Sequence, residues 1–250
     1  MSGHSKWHNI RIKKQKVDLV RGKLFSKFAR EIAVAAREGG ANPEGNARLR
    51  TAIERAREAG MPNDNVQRGI QRGAGGAEGA NYETSTYEGY APGGVAVLVE
   101  VLTDNRNRAA ADVRSLFNKH GGALGEMGSV AWMFDRRGVI VVERATVTVK
   151  EDDLLLVALE AGADDVRSTP EAFEIVTAPE QLFTVKQALE GAAIPLQSAD
   201  VTMVPKSTVR VEAREAKQVL ALMEALEDHD DVQRAYANFD IPDEILQQVS

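Results

Sequence analysis

The sequence predicts an α+β, multidomain chain in which a three-helix N-terminal domain is followed by two α/β domains. Residues 1–75 carry apolar side chains at helical spacing. A glycine-rich stretch at 73–80, GAGGAEGA, interrupts this pattern and is typical of a linker. Beyond it, strand-like and helix-like segments alternate, which indicates sheets covered by helices.

The first predicted helix is marked by Leu24, Phe28 and Ile32, which recur every four residues and form one apolar face. Gly39 and Gly40 are expected to end it, because glycine readily takes the left-handed conformation that closes many helices. This helix is the longest element predicted in the N-terminal domain.

Two shorter helices complete the N-terminal domain. One is predicted over about 46–59, with Leu49 and Ile53 on its buried side. Pro62 suits the start of the other, since the first turn of a helix needs no amide hydrogen. Residues 1–10 show no clear apolar period, and we expect a loose arm there.

The second part of the chain predicts strands and helices in alternation, including a compact βαββαβ unit of the ferredoxin-like kind. The predicted elements are strand 95–102, helix 106–119, strand 129–134, the βαββαβ unit 137–205, helix 212–227 and strand 232–238. The unit itself contains helices over 151–161 and 179–190.

The domain division follows from counting these elements. Segments 80–136 and 206–240 together suit a second unit of the same βαββαβ, ferredoxin-like kind, with 137–205 inserted into it. This division gives three domains: 1–75, 80–136 plus 206–240, and 137–205. Two sequential domains with a C-terminal appendage stay open as the alternative, because alternation alone does not determine topology.

The net charge of −6 conceals a division along the chain. Residues 1–75 hold 16 Lys and Arg against 7 Asp and Glu, which is +9. The other 175 residues hold 15 against 30, which is −15. An asymmetry of this size indicates a polyanionic partner, such as nucleic acid, for the N-terminal part.

The candidate binding residues cluster in the most basic segment, where nine cations between residues 6 and 30 face a single acid, Asp18. Lys and Arg bind phosphate and release its condensed counterions, which supplies most non-specific affinity. Steps of four, three and seven residues place four cations along one stripe of the first helix: Lys23, Lys27, Arg30 and Arg37. The predicted nucleic-acid-binding residues are Lys6, Trp7, Arg11, Lys13, Lys14, Lys16, Arg21, Lys23, Lys27 and Arg30.

Later arginines in the same domain leave two interpretations open. They either extend the phosphate-binding surface or form ion pairs on the helices with Glu31, Glu54 and Glu58. These arginines are Arg48, Arg50, Arg55, Arg57, Arg68 and Arg72.

Trp7 lies within the basic arm, where its indole can stack on a base or anchor the arm by burying apolar area. We favour the anchor. His4 and His8 have i, i+4 spacing, but zinc needs three or four ligands and no third lies nearby in the sequence. We therefore expect no metal site.

Two polar turns are candidates for ligand binding. Residues 227–231, EDHDD, lack the glycine spacing of a calcium loop and predict a solvated turn. Residues 103–108, TDNRNR, can cap the helix that follows them, and the exposed helix N-terminus offers an anion site for a regulatory ligand. The capped turn is the preferred interpretation.

The chain lacks the usual sequence patterns of an enzyme. It has no cysteine, no P-loop ending in GKS or GKT, and no G-x-S-x-G nucleophile elbow. We expect no catalytic residue and no cofactor. No apolar run could span a membrane, and the basic N-terminus lacks a signal-peptide core, so a cytoplasmic protein with no membrane partner is predicted.

Specific motifs along the whole chain resemble the YebC/PmpR family. They are GHSKWHNI at 3–10, RGKLFSKFAREI at 21–32, NARLRTAIERA at 46–56, MPNDNVQRGIQRG at 61–73, YEGYAPGG at 87–94, LTDNRNR at 102–108, GSVAWMF at 128–134 and LEDHDDVQRAY at 226–236. The resemblance implies a cytoplasmic protein without catalysis, built from a helical N-terminal domain and two α/β domains.

The resemblance also implies a function. Family members are described as probable transcriptional regulators that bind DNA, whereas some bacterial and mitochondrial relatives look like translation factors that act on the ribosome, including at proline-rich stalls. We expect DNA as the partner, with the ribosome and its RNA as the alternative. No recognition helix with base-reading side chains stands out, so weak duplex sequence preference is expected. The oligomeric state is left open between a monomer and a weak dimer.

Overall fold

The structure, a computed structural model, describes residues 18–75, 82–147, 149–242 and 244–245. Three helices come first and are followed by two four-stranded sheets that carry further helices. The helices are α1 (Asp18–Gly39), α2 (Ala47–Glu58), α3 (Asn63–Ala74), α4 (Arg106–Lys119), α5 (Glu151–Glu160), α6 (Leu182–Gly191) and α7 (Ala213–Asp228). The strands are β1 (Glu83–Ala91), β2 (Val95–Thr103), β3 (Ala123–Leu124), β4 (Phe134–Glu143), β5 (Ala163–Ser168), β6 (Ala172–Thr177), β7 (Ser198–Pro205), β8 (Val209–Arg210), β9 (Val232–Ala237) and β10 (Phe239–Asp240).

Local signals determine where the N-terminal helices begin and end, as predicted. The Asn46 side chain caps α2 by accepting a hydrogen bond of 3.0 Å from the Leu49 amide. Gly40 and Gly60 take φ values of +88° and +80° directly after α1 and just after α2. The three helices share one core, formed chiefly by Ile32, Ala35, Ala36, Leu49, Ala52, Ile53, Ala56, Met61, Val66 and Ile70.

Two glycines allow α3 to pack closely against α1. A Cβ atom at Gly73 would lie 2.2 Å from the Ala33 carbonyl oxygen and 2.8 Å from the Ala36 Cβ. At Gly69, one turn earlier, a Cβ would lie 3.0 Å from the Ile32 side chain. The absence of side chains at these two positions therefore sets the distance between the helices.

The first sheet has the order β3-β1-β2-β9 and is antiparallel throughout. Val97 and Val99 of β2 pack with Val113 of α4 and Leu222 of α7, so both helices cover the same face. The opposite face carries a smaller apolar cluster that includes Leu98.

The second sheet has the order β5-β6-β4-β7, also antiparallel. Ile140 and Ile175 pack with Leu154 of α5 and Leu189 of α6 on one face. This βαββαβ arrangement is the predicted ferredoxin-like unit, and the predicted α+β fold class is confirmed.

The prediction of a strand over residues 129–134 is wrong. Ala131–Met133 forms a short 3₁₀ turn, and β4 begins only at Phe134. The backbone N–H groups of Gly128, Val130 and Ala131 instead donate to the Glu88 carboxylate at 2.7, 2.7 and 2.8 Å. Because these donors are used by a side chain, they cannot form a β-ladder. Strand β1, which supplies Glu88, was not predicted.

The chain returns to the first sheet after completing the second. Strand β9 pairs with β2 from Val97↔Ala237 to Val101↔Val232, across the whole intervening βαββαβ unit. The division into 1–75, 80–136 plus 206–240, and 137–205 stays a prediction, and this pairing is compatible with it.

Candidate nucleic-acid interface

Most of the predicted contact residues lie in the N-terminal arm. Lys6, Trp7, Arg11, Lys13, Lys14 and Lys16 fall outside the described residues. Arg21 lies in α1, but its side chain is not among those described. The structure therefore places three members of the predicted set, the stripe residues of α1.

Lys23, Lys27 and Arg30, the basic stripe, contact the other end of the chain. Lys23 Nζ lies 3.5 Å from the Asp228 carbonyl oxygen and 3.8 Å from its Oδ2. Lys27 Nζ donates to the Glu227 carbonyl oxygen. The stripe therefore packs on residues 227–231, the acidic turn, which includes the last two residues of α7 and was predicted to be solvated.

Arg30 completes this contact at its most buried point. Its guanidinium donates to the Asp230 carbonyl oxygen at 2.6 Å and to Asp231 Oδ1 at 3.3 Å. Carbonyl groups at the end of a helix lack partners within the helix and carry the negative end of its dipole, so cations are favoured there. The basic stripe thus stabilises the C-terminal end of α7.

Asp231 connects the N-terminal helices to the first sheet. The residue is only 5% exposed, and Oδ2 accepts hydrogen bonds from Arg108 at 2.8 Å and Thr103 at 2.9 Å. Burial raises the pKa of Asp231, but the bonds from Arg108 and Thr103 and the nearby charge of Arg30 outweigh it, so the pKa lies below its ordinary value.

The turn at 103–108 is a capped turn, the interpretation preferred from the sequence. The Asn105 side chain accepts from the Arg108 amide at 3.0 Å, and Thr103 Oγ1 accepts from the Asn105 amide at 3.0 Å. Arg108 also reaches Asp104 at 2.9 Å. Within the described part of the chain, no cluster of three or more His, Asp or Glu side chains is arranged to hold a metal ion.

The later arginines divide between the two interpretations. Arg55 pairs with Glu31 at 3.0 Å, as one interpretation expected, and also with Asp200 of β7 at 3.3 Å. Arg50 and Arg72 are exposed and have no ion-pair partner among the described residues. Cations that are available to a partner therefore lie on α2 and α3, whereas the basic stripe is engaged by the acidic turn.

A cavity of about 230 Å³ lies where α1 meets both sheets. The described residues that form its walls carry charges of both signs, four basic and four acidic side chains. Several pair with each other, such as Arg234 with Asp200 at 3.4 Å. These walls therefore carry no excess of positive charge with which to attract phosphate.

A groove of about 500 Å³ between α1 and α3, the α1–α3 groove, has a different character. Its described lining includes three arginines, Arg30, Arg68 and Arg72, and no Asp or Glu. Aromatic side chains Phe25 and Tyr82 also line it. The sequence interpretation missed this groove, although Arg68 and Arg72 lie one turn apart on α3.

Two family models match almost the whole chain. The model described as "TACO1/YebC protein N-terminal domain" matches residues 5–76, and "TACO1/YebC second and third domain" matches residues 82–239. The chain belongs to the TACO1/YebC family. The resemblance inferred from the motifs is thereby confirmed.

Relatives of this TACO1/YebC chain are similar along their full length. A protein from Dictyoglomus thermophilum is 56% identical over 250 residues, 100% of both chains. One from Desulforamulus reducens is 54% identical over 240 residues, 96% of this chain and 99% of the relative. Both are named "Probable transcriptional regulatory protein".

A solved structure has the same fold. The crystal structure of a conserved hypothetical protein, Aq1575 from Aquifex aeolicus, is 52% identical and superposes with a TM-score of 0.82. The match covers 93% of this TACO1/YebC chain and 95% of the other. Among the described residues, no helix is both long and apolar enough to cross a membrane.

Proposed function

We propose that this chain is a cytoplasmic, non-enzymatic DNA-binding regulator of transcription that contacts phosphates through residues 1–75. The name carried by its relatives supports regulation of transcription. The observation that carries the proposal is the separation of charge, +9 in residues 1–75 and −15 in the remainder. Phosphate is attracted to the first part and repelled by the second.

The polar side of α3 supports DNA as the partner. Helices α2 and α3 are joined by a short turn at 59–62 that contains Gly60, a connection of the helix-turn-helix kind. After this turn, α3 exposes Gln67 and Gln71. These side-chain types donate hydrogen bonds to base edges. The sequence alone had suggested no such helix.

Phosphate contact by the arm is tested in the full-length protein. Replacing Lys13, Lys14 and Lys16 with Gln should weaken binding to all duplex sequences. The slope of log affinity against log salt should fall by about 0.9 for each phosphate that the arm no longer neutralises. Affinity is measured by fluorescence anisotropy over a range of salt concentrations.

The matched control replaces Lys119, Lys150 and Lys217 with Gln. These lysines are exposed and lie in the acidic part of the chain. This variant has the same net charge as the arm variant, and its slope should match that of the wild type. Equal slopes for the wild type and the arm variant would show that the three arm lysines do not contact phosphate.

The second candidate function is a ribosome-associated translation factor that binds ribosomal RNA. The α1–α3 groove favours it, because the groove combines arginines with aromatic side chains and RNA loops offer unpaired bases. Selection from a random duplex library separates the two candidates. One sharply enriched motif supports the DNA regulator, whereas no motif together with salt-resistant binding to ribosomes supports the translation factor.

A further inference from the structure

We propose that the α1–α3 groove binds an unpaired nucleotide of a single-stranded nucleic acid, with the phosphate on Arg68 and Arg72 and the base against the aromatic side chains. The site deepens the proposed function and rests on it, since it presumes that the N-terminal helices bind nucleic acid. It also places the phosphate contact on α3 rather than on Lys23 and Lys27, which pack on the acidic turn.

The charge of the groove favours a phosphate. Arg68 and Arg72 contribute two positive charges, and the described residues that line the groove include no acidic side chain to offset them. Arg30 also lines the groove, but its charge is paired with Asp231 at 3.3 Å. Arg68 and Arg72 have i, i+4 spacing on α3, where like charges repel each other. A phosphate between them relieves this repulsion and can accept two hydrogen bonds from each planar guanidinium.

The two arginines are held differently. Arg68 donates to the Asp64 carbonyl oxygen at 3.3 Å and to Asn65 Oδ1, so its guanidinium is oriented along α3. Arg72 is exposed and has no ion-pair partner among the described residues. One arginine is therefore pre-oriented and the other is available, which suits capture of an anion that arrives from solvent.

The remainder of the groove suits a base. Phe25 and Tyr82 line it, and the Arg30 guanidinium lies 5.8 Å from the centre of the Tyr82 ring. Aromatic rings and stacked guanidinium groups are the surfaces on which bases of single strands stack. Asn65, which also lines the groove, carries an amide of the type that binds base edges.

The size and lining of the groove suit an unpaired nucleotide. Gly22 and Gly69 replace side chains with backbone along its walls, and its volume of about 500 Å³ lies within the range of small-ligand sites. A base in a duplex has both faces covered by its neighbours and cannot lie flat against Tyr82 or Phe25. An unpaired base exposes a face for such stacking.

The phosphate half of the proposal is tested with Arg68→Gln and Arg72→Gln in the full-length protein. The probe is a fluorescein-labelled oligouridylate of about twelve nucleotides, a length typical of single-strand sites. Each substitution should weaken binding by about fivefold to tenfold. Each should also lower the salt slope by about 0.7, the value for a phosphate contact on a single strand.

Arg114→Gln is the matched control. Arg114 is an exposed arginine of α4 in the acidic part of the chain; it does not line the groove, and it has no ion-pair partner among the described residues. The control should bind the oligouridylate within about twofold of the wild type, as expected for a general loss of one surface charge. Melting temperatures of all three variants are measured, so that a loss of folding is recognised.

The base half is tested with Tyr82→Leu and Tyr82→Phe. Leu removes the ring and should weaken binding roughly fivefold or more, whereas Phe keeps the ring and should bind as the wild type does. A probe whose central nucleotides are abasic should bind the wild type as weakly as the intact probe binds Tyr82→Leu. A corresponding oligothymidylate distinguishes DNA from RNA as the source of the single strand.

The outcomes separate this proposal from the proposed function. If the wild type binds no nucleic acid, the proposed function fails as well. If the wild type binds and the groove variants match Arg114→Gln, the groove has another occupant, and the proposal is overturned while the function stands. A loss of duplex binding equal to the loss of single-strand binding would also overturn it, because Arg68 and Arg72 would then be general phosphate contacts.

Discussion

Asp231→Asn should lower the stability of the protein while raising its affinity for nucleic acid. Asp231 accepts hydrogen bonds from Arg108, Thr103 and Arg30, and it ties α1 to the first sheet. An amide keeps one acceptor oxygen but presents an NH₂ group to these donors. The substitution therefore weakens the contact between the basic stripe and the acidic turn.

The size of the effect follows from the burial of the groups. Removing one partner of a fully buried ion pair costs about 3–5 kcal/mol. Here the Asp231 side chain is 7% exposed, but those of Arg30 and Arg108 are 20% and 49% exposed. Solvent screens both partners in part, so we expect a loss of about 2 kcal/mol in the free energy of unfolding.

The stabilisation also depends on pH. The pKa of Asp231 is lower in the folded state than in the unfolded chain. Its contribution is therefore fully present above the unfolded value, near 3.9, and is lost as the pH falls through the folded pKa. Urea denaturation at several pH values should show the difference between wild type and Asp231→Asn shrinking below about pH 4.

Asp230→Asn is the matched control, because it removes the same formal charge from an exposed side chain one residue earlier. It should change stability by no more than about 0.5 kcal/mol. Release of Arg30 in Asp231→Asn should tighten binding by roughly twofold to fivefold beyond this control. Equal stability and equal affinity of the two variants would refute the contact described for Asp231.

Two further changes test the packing of the helices and the loop after β3. Gly73→Ala should cost about 2–3 kcal/mol, because the new Cβ would lie 2.2 Å from the Ala33 carbonyl oxygen. At Gly22 the new Cβ would have no atom within 4 Å, so Gly22→Ala should instead stabilise α1 by up to about 1 kcal/mol. Thermal denaturation measures the melting temperatures of both variants. Glu88→Gln should lower the free energy of unfolding by about 2–3 kcal/mol, because three backbone N–H groups lose the buried carboxylate to which they donate. Burial raises the pKa of Glu88, but these hydrogen bonds keep the pKa below its ordinary value. Glu83→Gln, an exposed change on the same strand, should alter the urea midpoint little, and an equal loss in both would contradict the role of Glu88.

Much of the architecture could be predicted because its determinants are local. The ends of α1 and α2 lie where Gly39, Asn46 and Gly60 indicated, since capping and the left-handed conformation depend on a few neighbouring residues. The helix predicted over 106–119 has these same bounds in the structure. Periodicity likewise indicated the βαββαβ unit, because each element buries one face.

Residues 129–134 show where sequence reasoning failed. Their apolar side chains favoured a strand, but Glu88, some forty residues earlier, binds the amides that a strand would need. Nothing within the segment indicates this partner. The groove was missed for a related reason, since Phe25, Arg68 and Tyr82 come together only when α3 packs on α1.

The net charge of each part of the chain follows from its sequence alone, and it is positive for residues 1–75 and negative for the remainder. Which cations are available to a partner was decided by the tertiary structure. The spacing of Lys23, Lys27 and Arg30 was visible in the sequence, but their contact with residues 227–231 was not. Coulomb energy depends on distance in space and on burial, and folding brings together groups that lie about two hundred residues apart in the chain.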